Sequence, residues 1–339
     1  MKIIVSRTDK IGDLILSIPS FFMVKKMYPE AELLVLVRRY NYEIVKNLPY
    51  VDRIIKIDDY STEALCAELH SFAPDIFIAL YNDAFVARLA RASKAKLRIG
   101  PLSKLSSFIT YNKGLWQKRS KSIKNEGEYN LDLIRRLDRA RFDSVYELNT
   151  RLYYDASHKE IAELFFAAED IDGRSLVVNP FIGGSAKNIT DSQYSNLLRL
   201  FSARQPDVAL VLVCHISEKA RAEKLIAESQ TKVHLYANDG DLLNIAAIID
   251  KGDAFLGAST GPTHIAGALG KRIVAIYPAK KSQSPCRWGV LGNAKVDYIV
   301  PDALSPSEDY SLPYFSSYSA DTEQALIAAL EKALAHETK

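Results

Sequence analysis

Short apolar runs alternate with helical patterns along the first half of the chain. The runs are typical of strands, and we predict strands at 2–6, 33–37, 53–57, 75–80 and 96–99. Between them, helical patterns occupy segments such as 14–27 and 62–72. Strand and helix in alternation predict a parallel sheet with helices on both faces.

The second half repeats this scheme. Strands are predicted at 175–179, 208–214, 233–236, 254–257 and 272–277, and helices at 191–204, 218–228, 241–249 and 263–269. Thr190, followed three residues later by Gln193, fits a capping box at the start of the first of these helices. The repetition predicts a second α/β domain of the same kind.

The expected architecture is therefore two Rossmann-like, doubly wound domains in tandem. We predict an N-terminal domain at 1–155, a C-terminal domain at 156–319, and a C-terminal segment at 320–339 whose helix, 320–335, packs back on the N-terminal domain. Ligands of open α/β sheets bind outside the carboxyl ends of the strands. Two such domains facing each other would form a central cleft.

Composition narrows the class of protein. The chain has 339 residues, of which 48% are hydrophobic and 25% charged, and its formal net charge of +3 argues against a dedicated nucleic-acid binder. Cys66, Cys214 and Cys286 form no metal or redox spacing, which fits a reducing cytoplasmic setting. The N-terminus is typical of a strand rather than a signal peptide, and no apolar run approaches the ~20 residues of a membrane span. Any membrane contact is expected to be peripheral.

The segment after the first predicted strand offers a candidate catalytic acid or base. It reads SRTDKIGDL at 6–14 and opens a helix, so Asp13 could point from a strand end into the cleft. A carboxylate there could take a proton from an incoming hydroxyl group. Asp is also a common helix N-cap, and position alone leaves both roles open.

The segment GASTGPTHIAGALG at 257–270 offers an anion site in the second half. Its small residues allow a ligand to approach the backbone, and Pro262 is suited to the first turn of the next helix. Free N–H groups at such a helix start bind anions, above all phosphate. His264 lies in that first turn, where the helix dipole favours a neutral imidazole. The alternative is a plain Rossmann turn with a surface histidine.

A second turn, at 179–188, follows the first strand of the same half. Lys187 could neutralise a diphosphate there, although the turn lacks the Gly-Lys-Ser/Thr ending of a Walker loop. A solvated loop lysine is the alternative. This turn and the one at 257–261 should lie on one edge of one sheet.

One further motif concerns metal binding. Asp239-Gly240-Asp241 matches the metal-binding D-x-D of some sugar transferases, but it precedes a helix, where capping explains both acids, and we expect no metal site.

A basic loop with no acid before Glu126 surrounds Trp116. It would suit an anionic acceptor or an anionic membrane surface, and a mobile solvated loop is the alternative. The aromatic-rich segment 310–318 is either a linker or a lid. The basic residues of the loop are Lys113, Lys118, Arg119, Lys121 and Lys124.

Taken together, these motifs resemble a known family over nearly the whole chain. The relevant elements are RTDKIGD at 7–13, EYNLDL at 128–133, SAK at 185–187, STGPTH at 259–264 and RWG at 287–289. Their ordered set resembles the ADP-heptose:lipopolysaccharide heptosyltransferases, glycosyltransferase family 9.

The resemblance implies a GT-B fold with the acceptor in the N-terminal domain and the nucleotide sugar in the C-terminal one. It implies a cytoplasmic transferase without cofactor or metal that moves heptose from ADP-heptose, with inversion, to a lipopolysaccharide core or related anionic glycan at the inner membrane face. Asp13 becomes the candidate general base. The implied donor-binding residues are Ser185, Lys187, Glu218, Ser259, Thr260, Gly261, Pro262 and His264. The implied acceptor-binding residues are Arg7, Lys10, Lys118, Arg119 and Lys121.

Two departures from the family pattern bear on which sugar is recognised. Ser259 stands where several members have an acid that contacts the heptose, and Ile182-Gly183 replaces a hydroxyl pair. A same-fold transferase using another nucleotide sugar and a non-enzymatic nucleotide-sugar-binding protein remain alternatives. A dinucleotide-dependent oxidoreductase is disfavoured, because neither half has G-x-G-x-x-G after its first strand with an acid ~20 residues further on.

Overall fold

The computed structural model describes residues 1–103, 105–183, 186–303 and 308–335. The chain divides into two compact units, Met1–Tyr153 and Tyr154–Lys339. No helix among these residues has both the length and the apolar character that a membrane span requires.

The first unit is built on a five-stranded parallel sheet. Its strands are β1 (Lys2–Ser6), β2 (Glu32–Val37), β3 (Arg53–Lys56), β4 (Ile76–Ala79) and β5 (Leu97–Ile99). Their order is β3-β2-β1-β4-β5, and every neighbouring pair is parallel. The chain changes winding direction between β1 and β4, so the carboxyl ends of these strands border a topological switch point, where such sheets bind ligands.

Eight helices accompany this sheet among the described residues. They are α1 (Ile11–Ile15), α2 (Ile18–Met27), α3 (Glu43–Lys46), α4 (Thr62–Phe72), α5 (Ala84–Ala92), α6 (Leu105–Thr110), α7 (Glu126–Leu137) and α8 (Arg139–Val145). The single helix predicted at 14–27 is two helices, because α1 ends at Leu16 and α2 begins with Pro19 in its first turn, where a missing N–H is tolerated. Side chains of α4 and α5 form a buried cluster with Ile4 of β1, and strand alternation directs Ile3 and Val5 to the opposite face.

The second unit contains a six-stranded parallel sheet. Its strands are β6 (Ser175–Asn179), β7 (Ala209–His215), β8 (His234–Asn238), β9 (Ala254–Ala258), β10 (Arg272–Ile276) and β11 (Val296–Ile299). The order β11-β10-β9-β6-β7-β8 is that of a Rossmann fold, with its switch point between β6 and β9. The sequence pattern did not predict β11, whose residues are only partly buried.

The helices of the second unit include those that the sequence predicted. They are α9 (Ala156–Ala168), α10 (Asp191–Arg204), α11 (Lys219–Ser229), α12 (Leu242–Lys251), α13 (Gly261–Ala268), α14 (Pro285–Trp288) and α15 (Ala320–Ala335). The capping box at the start of α10 is confirmed, since Thr190 Oγ1 accepts from Gln193 N and Gln193 Oε1 accepts from Thr190 N.

Helix α15 packs within the second unit. Its Leu326, Ile327 and Leu330 are fully buried and belong to the same apolar cluster as Leu256 of β9 and Val274 of β10. The sequence analysis expected this helix on the N-terminal domain. Instead, the sheet of the second unit covers its apolar face, because that sheet needs a helical layer over β9 and β10.

Candidate functional site

A buried arginine organises the loop after β1. Arg7 is 1% exposed, and its Nε and Nη2 bind both carboxylate oxygens of Asp9 at 2.5 and 2.9 Å. Its Nη2 also donates to Asp13 Oδ1, and its Nη1 donates to Asn130 Oδ1 at 3.0 Å. The arginine, which the resemblance implied as an acceptor-binding residue, is therefore buried and contacts Asp13 directly.

Asp13 is not the N-cap of its helix. Lys10 is the N-cap residue of α1 and makes no side-chain cap bond, while Asp13 lies two residues into the helix and directs its carboxylate to Arg7. Asp13 is buried, with 12% of its side chain exposed. The structure thus favours the positioned carboxylate over the capping role that the sequence left open.

The same cluster holds more negative than positive charge. Three carboxylates, those of Asp9, Asp13 and Glu126, bind Arg7, and Arg119 adds a second cation by pairing with Glu126. Burial, together with the charge of Asp13, raises the pKa of Asp9 to about 6. These neighbouring carboxylates also raise the pKa of Arg7 well above its ordinary value, against the opposing effect of burial. Asp9 is a member of this cluster that the sequence analysis quoted but did not single out.

The basic loop divides into two kinds of side chain. Arg119 is half-buried and binds Glu126 and Gln117, whose side chain accepts from its Nε at 2.9 Å. Lys118 and Lys121 are exposed, as is Lys10. Of the predicted acceptor-binding residues, the three lysines are therefore open to a ligand, whereas Arg119 links the loop to the Arg7 cluster.

The start of α13, the anion site predicted from the sequence, lies at the switch point of the second sheet. Residues 259–262 are partly exposed there, and the N-cap Thr260 makes no side-chain cap bond, so the turn keeps its N–H groups for another acceptor. Gly257 precedes the turn because a Cβ there would lie 2.7 Å from the Phe255 ring and 2.8 Å from Thr263 Oγ1. That hydroxyl donates to Ala258 O at 2.5 Å, which fixes the turn.

His264 is a neutral imidazole in this turn. It is 5% exposed, so it is not the surface histidine of the alternative interpretation, and burial lowers its pKa to about 4. Among the described residues, none bonds its buried Nδ1 atom. A buried histidine with an unused ring nitrogen can accept or donate one further hydrogen bond.

The turn after β6 lies beside the α13 turn, as predicted. Asn179 at the end of β6 pairs with Gly257 of β9, which confirms that both turns leave the same edge of the sheet. Glu218 ends the 3₁₀ turn after the neighbouring β7 and is partly exposed; burial raises its pKa. Ser185 lies outside the described residues.

Lys187 is buried against an acidic residue that the sequence analysis missed. The lysine is 4% exposed, and its Nζ donates to Glu308 Oε1 and to Asp309 O. Burial would raise the pKa of Glu308, but hydrogen bonds from Lys187 and Ser317 bring it to about 2. Lys187 is thus not the solvated loop lysine of the alternative interpretation, since it is buried and ion-paired in this structure.

The segment 308–318 covers Lys187. Asn188 N donates to Pro313 O at 3.1 Å, and Phe315 N donates to Asn188 O at 3.0 Å. The Lys187 ammonium also lies 5.2 Å from the centre of the Tyr310 ring. The aromatic segment that the sequence left as linker or lid is therefore bound to the turn after β6.

The D-x-D sequence has a structural role. Asp241 caps α12 by accepting from Leu243 N at 2.9 Å, and it contacts His158 Nε2 at 3.1 Å. Asp239 is exposed. Within the described ranges, no group of three His, Cys, Asp or Glu side chains could hold a metal ion.

Comparisons with known proteins agree on one family. The sequence profile described as glycosyltransferase family 9 (heptosyltransferase) matches residues 63–307. A Haemophilus influenzae protein named provisionally as a glycosyltransferase is 30% identical over 296 residues, which is 85% of each chain. An Escherichia coli protein named lipopolysaccharide heptosyltransferase 3 is 23% identical over 284 residues, 79% of this chain and 81% of its own.

A solved structure supports the same fold. The Escherichia coli ADP-heptose lipopolysaccharide heptosyltransferase II superposes with a TM-score of 0.79, at 18% sequence identity, over 99% of both chains. The predicted GT-B class, with two Rossmann-like doubly wound domains, is confirmed. The family profile begins after the loop that carries Arg7, Asp9 and Asp13, so the evidence for Asp13 comes from the structure of that loop.

Proposed function

This chain belongs to glycosyltransferase family 9, the heptosyltransferase family, and we propose that it moves heptose from ADP-heptose to a lipopolysaccharide core or a related anionic glycan. It is a glycosyltransferase with two Rossmann-like domains. The observation that carries the proposal is the buried Arg7–Asp13 pair at the carboxyl end of β1. The names of two similar proteins, a lipopolysaccharide heptosyltransferase and an ADP-heptose heptosyltransferase, support these substrates.

Asp13 acts as the general base in this proposal. Its carboxylate takes the proton of the acceptor hydroxyl as the hydroxyl oxygen forms a bond to the anomeric carbon. The bond from that carbon to the diphosphate breaks, ADP leaves with the electron pair, and the anomeric configuration is inverted. Arg7 holds the carboxylate in one orientation, which is the requirement for positioned proton transfer.

The α13 turn binds the departing diphosphate. Its N–H groups and the partial positive charge of the helix start stabilise negative charge without a cation. Neutral His264 adds one hydrogen bond through its unused Nδ1. Lys187 reaches the diphosphate once it leaves Glu308, and Glu218 binds the ribose.

Ser185 and Ser259 complete the proposed donor site beside Thr260, Gly261 and Pro262. A hydroxyl at position 259 donates and accepts hydrogen bonds to sugar hydroxyls without the charge of an acid. This supports one alternative, a transferase of the same fold that uses another nucleotide sugar. Competition among ADP, UDP and GDP distinguishes the heptosyltransferase from this alternative. If UDP or GDP binds about tenfold more tightly than ADP, a difference of ~1.4 kcal/mol, the heptosyl assignment is wrong.

The acceptor binds the first unit through Lys10, Lys118 and Lys121. Arg119 and Arg7 contribute indirectly, since both are held by carboxylates. The protein works in the cytoplasm, in peripheral contact with the inner membrane.

Replacing Asp13 with Asn tests the reaction. We expect turnover with ADP-heptose and a core acceptor to fall by roughly 10²–10⁴, the usual contribution of a positioned base. ADP affinity should stay the same. Asp83→Asn is the matched control, because Asp83 caps α5 through Val86 N and should leave turnover unchanged. Full turnover in the Asp13 variant would refute the base, and ADP-heptose binding with no transfer by the wild type would favour a non-enzymatic binding protein.

A further inference from the structure

Helix α6 exposes its apolar side chains and buries most of its polar ones. Its apolar residues Leu105, Phe108 and Ile109 are 85%, 51% and 76% exposed. Two of its three polar residues, Ser107 and Thr110, are fully buried, whereas Ser106 is exposed. A surface helix of a water-soluble domain normally buries its apolar stripe, so this arrangement requires a cause and a partner.

The cause is the residue that follows the helix. Tyr111 is buried, and its hydroxyl donates to Asn82 Oδ1 at 2.6 Å. Its ring lies directly over Gly100, where a Cβ would come within 2.6 Å of a ring atom. Leu115 N donates to Gly100 O at 3.0 Å. Turning the apolar face of α6 inward would break these contacts, so its exposure is built into the fold.

The exposed apolar surface continues beyond the helix. The Trp116 ring lies 6.1 Å from the Phe108 ring, and both Trp116 and Ile123 are more than 60% exposed. Nine large apolar side chains other than tyrosine are exposed among the described residues, and five of them fall within 105–123. Such clustering differs from the single exposed residues that normal surfaces carry. We call these five side chains the apolar patch: Leu105, Phe108, Ile109, Trp116 and Ile123.

Positive charge borders the apolar patch. Trp116 and Ile123 line a groove of about 420 Å³ whose other residues include five cations and one acid. The cations are Lys118, Lys124, Arg135, Arg136 and Arg139, and the acid is Asp132.

Part of this charge has no protein partner. Asp132 and Asp143 pair with Lys124, Arg135 and Arg139. Within the part of the chain that the structure describes, no carboxylate pairs with Lys118, Lys121 or Arg136. Exposed apolar side chains beside unpaired cations are the pattern of proteins that lie on anionic membranes.

We propose that the apolar patch inserts between the acyl chains of an anionic phospholipid bilayer. Lys118, Lys121 and Arg136 then bind lipid phosphates, with their alkyl stems along the apolar layer. Charge complementarity selects this occupant. A second copy of the chain, docked through the same patch, would bring cations against cations. The inference rests on the proposed function for its setting, because a lipopolysaccharide acceptor is a membrane lipid.

The two tryptophans of the chain provide a direct test. Trp288→Phe leaves Trp116 as the only tryptophan. We expect its emission to shift to the blue and to be quenched by brominated acyl chains in vesicles containing phosphatidylglycerol at low salt. Pure phosphatidylcholine vesicles should give neither effect, and salt should weaken both. Trp116→Phe, which leaves Trp288, is the matched control and should report no insertion.

A second variant tests the helix itself. Replacing Leu105, Phe108 and Ile109 with Ser should reduce partitioning into the phosphatidylglycerol vesicles at least tenfold, about 1.4 kcal/mol. Leu164→Ser removes a leucine of the second unit that is 63% exposed and should leave partitioning unchanged. The triple variant of α6 should lose transfer to an acceptor embedded in vesicles and keep transfer to an acceptor dispersed in detergent.

Three results would overturn the proposal. They are wild-type partitioning by the triple variant, insertion of Trp116 into phosphatidylcholine as deep as into phosphatidylglycerol, and self-association of the protein through the patch without lipid. Vesicle binding requires neither ADP-heptose nor catalysis. Binding without any transfer would therefore refute the proposed function and leave this inference standing.

Discussion

The ion pair between Lys187 and Glu308 makes opposite predictions for stability and for ligand affinity. Glu308→Gln keeps the shape of the side chain and removes the charge that holds Lys187. In the wild type, Glu308 also accepts from Ser316 N at 3.1 Å, from Ser317 N at 3.0 Å and from Ser317 Oγ. The variant should be less stable but bind ADP more tightly, because Lys187 no longer has to leave a carboxylate to reach the diphosphate.

The magnitudes follow from the burial of the pair, since Lys187 and Glu308 expose 4% and 1% of their side chains. Removing one partner of a buried pair costs about 3–5 kcal/mol, and we take the lower end because the amide oxygen still accepts hydrogen bonds. At roughly 2–4 °C per kcal/mol, the second unit should melt about 6–12 °C lower. A charge-assisted bond exceeds a neutral one by about 1.4 kcal/mol, so ADP affinity should rise about tenfold.

The pH dependence has a defined sign. The pKa of Glu308 in the folded protein, about 2, lies below its ordinary 4.5. The pair therefore stabilises the fold above about pH 4.5 and is lost as the pH falls towards 2. The difference in stability between wild type and variant should shrink over that range.

Calorimetric titration with ADP decides between two roles for Lys187. If it binds the diphosphate, Lys187→Met should weaken ADP binding while Glu308→Gln strengthens it. Glu163→Gln, which removes one member of an exposed pair on α9, should change neither affinity nor melting temperature. If ADP binding is weakened equally in the Lys187 and Glu308 variants, the reasoning is refuted, and the role of the ion pair is only to stabilise the segment 308–318.

Three further predictions concern other parts of the molecule. The pKa of Asp9 is raised from 3.8 to about 6, so the folded state binds more protons than the unfolded state between these pH values, and the free energy of unfolding should fall by up to about 3 kcal/mol as the pH rises through them. Asp9→Asn should flatten this dependence of stability on pH, measured by urea unfolding. An unchanged dependence would contradict the shift. Transfer activity should survive excess EDTA, because the α13 turn and Lys187 neutralise the diphosphate; complete loss restored by magnesium would contradict this. Lys118→Ser with Lys121→Ser should raise the acceptor KM and leave ADP affinity alone, whereas unchanged acceptor kinetics would make both lysines ordinary solvated side chains.

Local sequence signals predicted what depends on local interactions. Alternating apolar runs gave ten of the strands in nearly their observed positions, and Thr190 with Gln193 marked the start of α10. The turn at His264 followed from small residues and a proline next to a strand end. These features are set by backbone conformation and hydrogen bonds within a few residues, which a sequence displays directly.

Long-range pairing was not predictable in the same way. The ion pair of Lys187 was not predictable because its partner, Glu308, is 121 residues further along the chain. The sequence left Asp13 between a cap and a base because nothing nearby reveals that Arg7 turns inward and binds it. Helix α6 is exposed on its apolar side because Tyr111 is anchored beneath it, which depends on contacts with Asn82 and Gly100.

The Arg7 cluster couples positions that are distant in the sequence, so substitutions at them should not be independent. Two arginines and three carboxylates share a buried space, so losing Arg119 would remove one of the cations that pair with Glu126 and increase the excess of negative charge around Arg7. A change at one of these positions should be tolerated only with a compensating change at another. Among homologous chains, we therefore expect positions 119 and 126 to covary strongly, and acquisition of a neutral residue at 126 to precede or accompany the loss of Arg119.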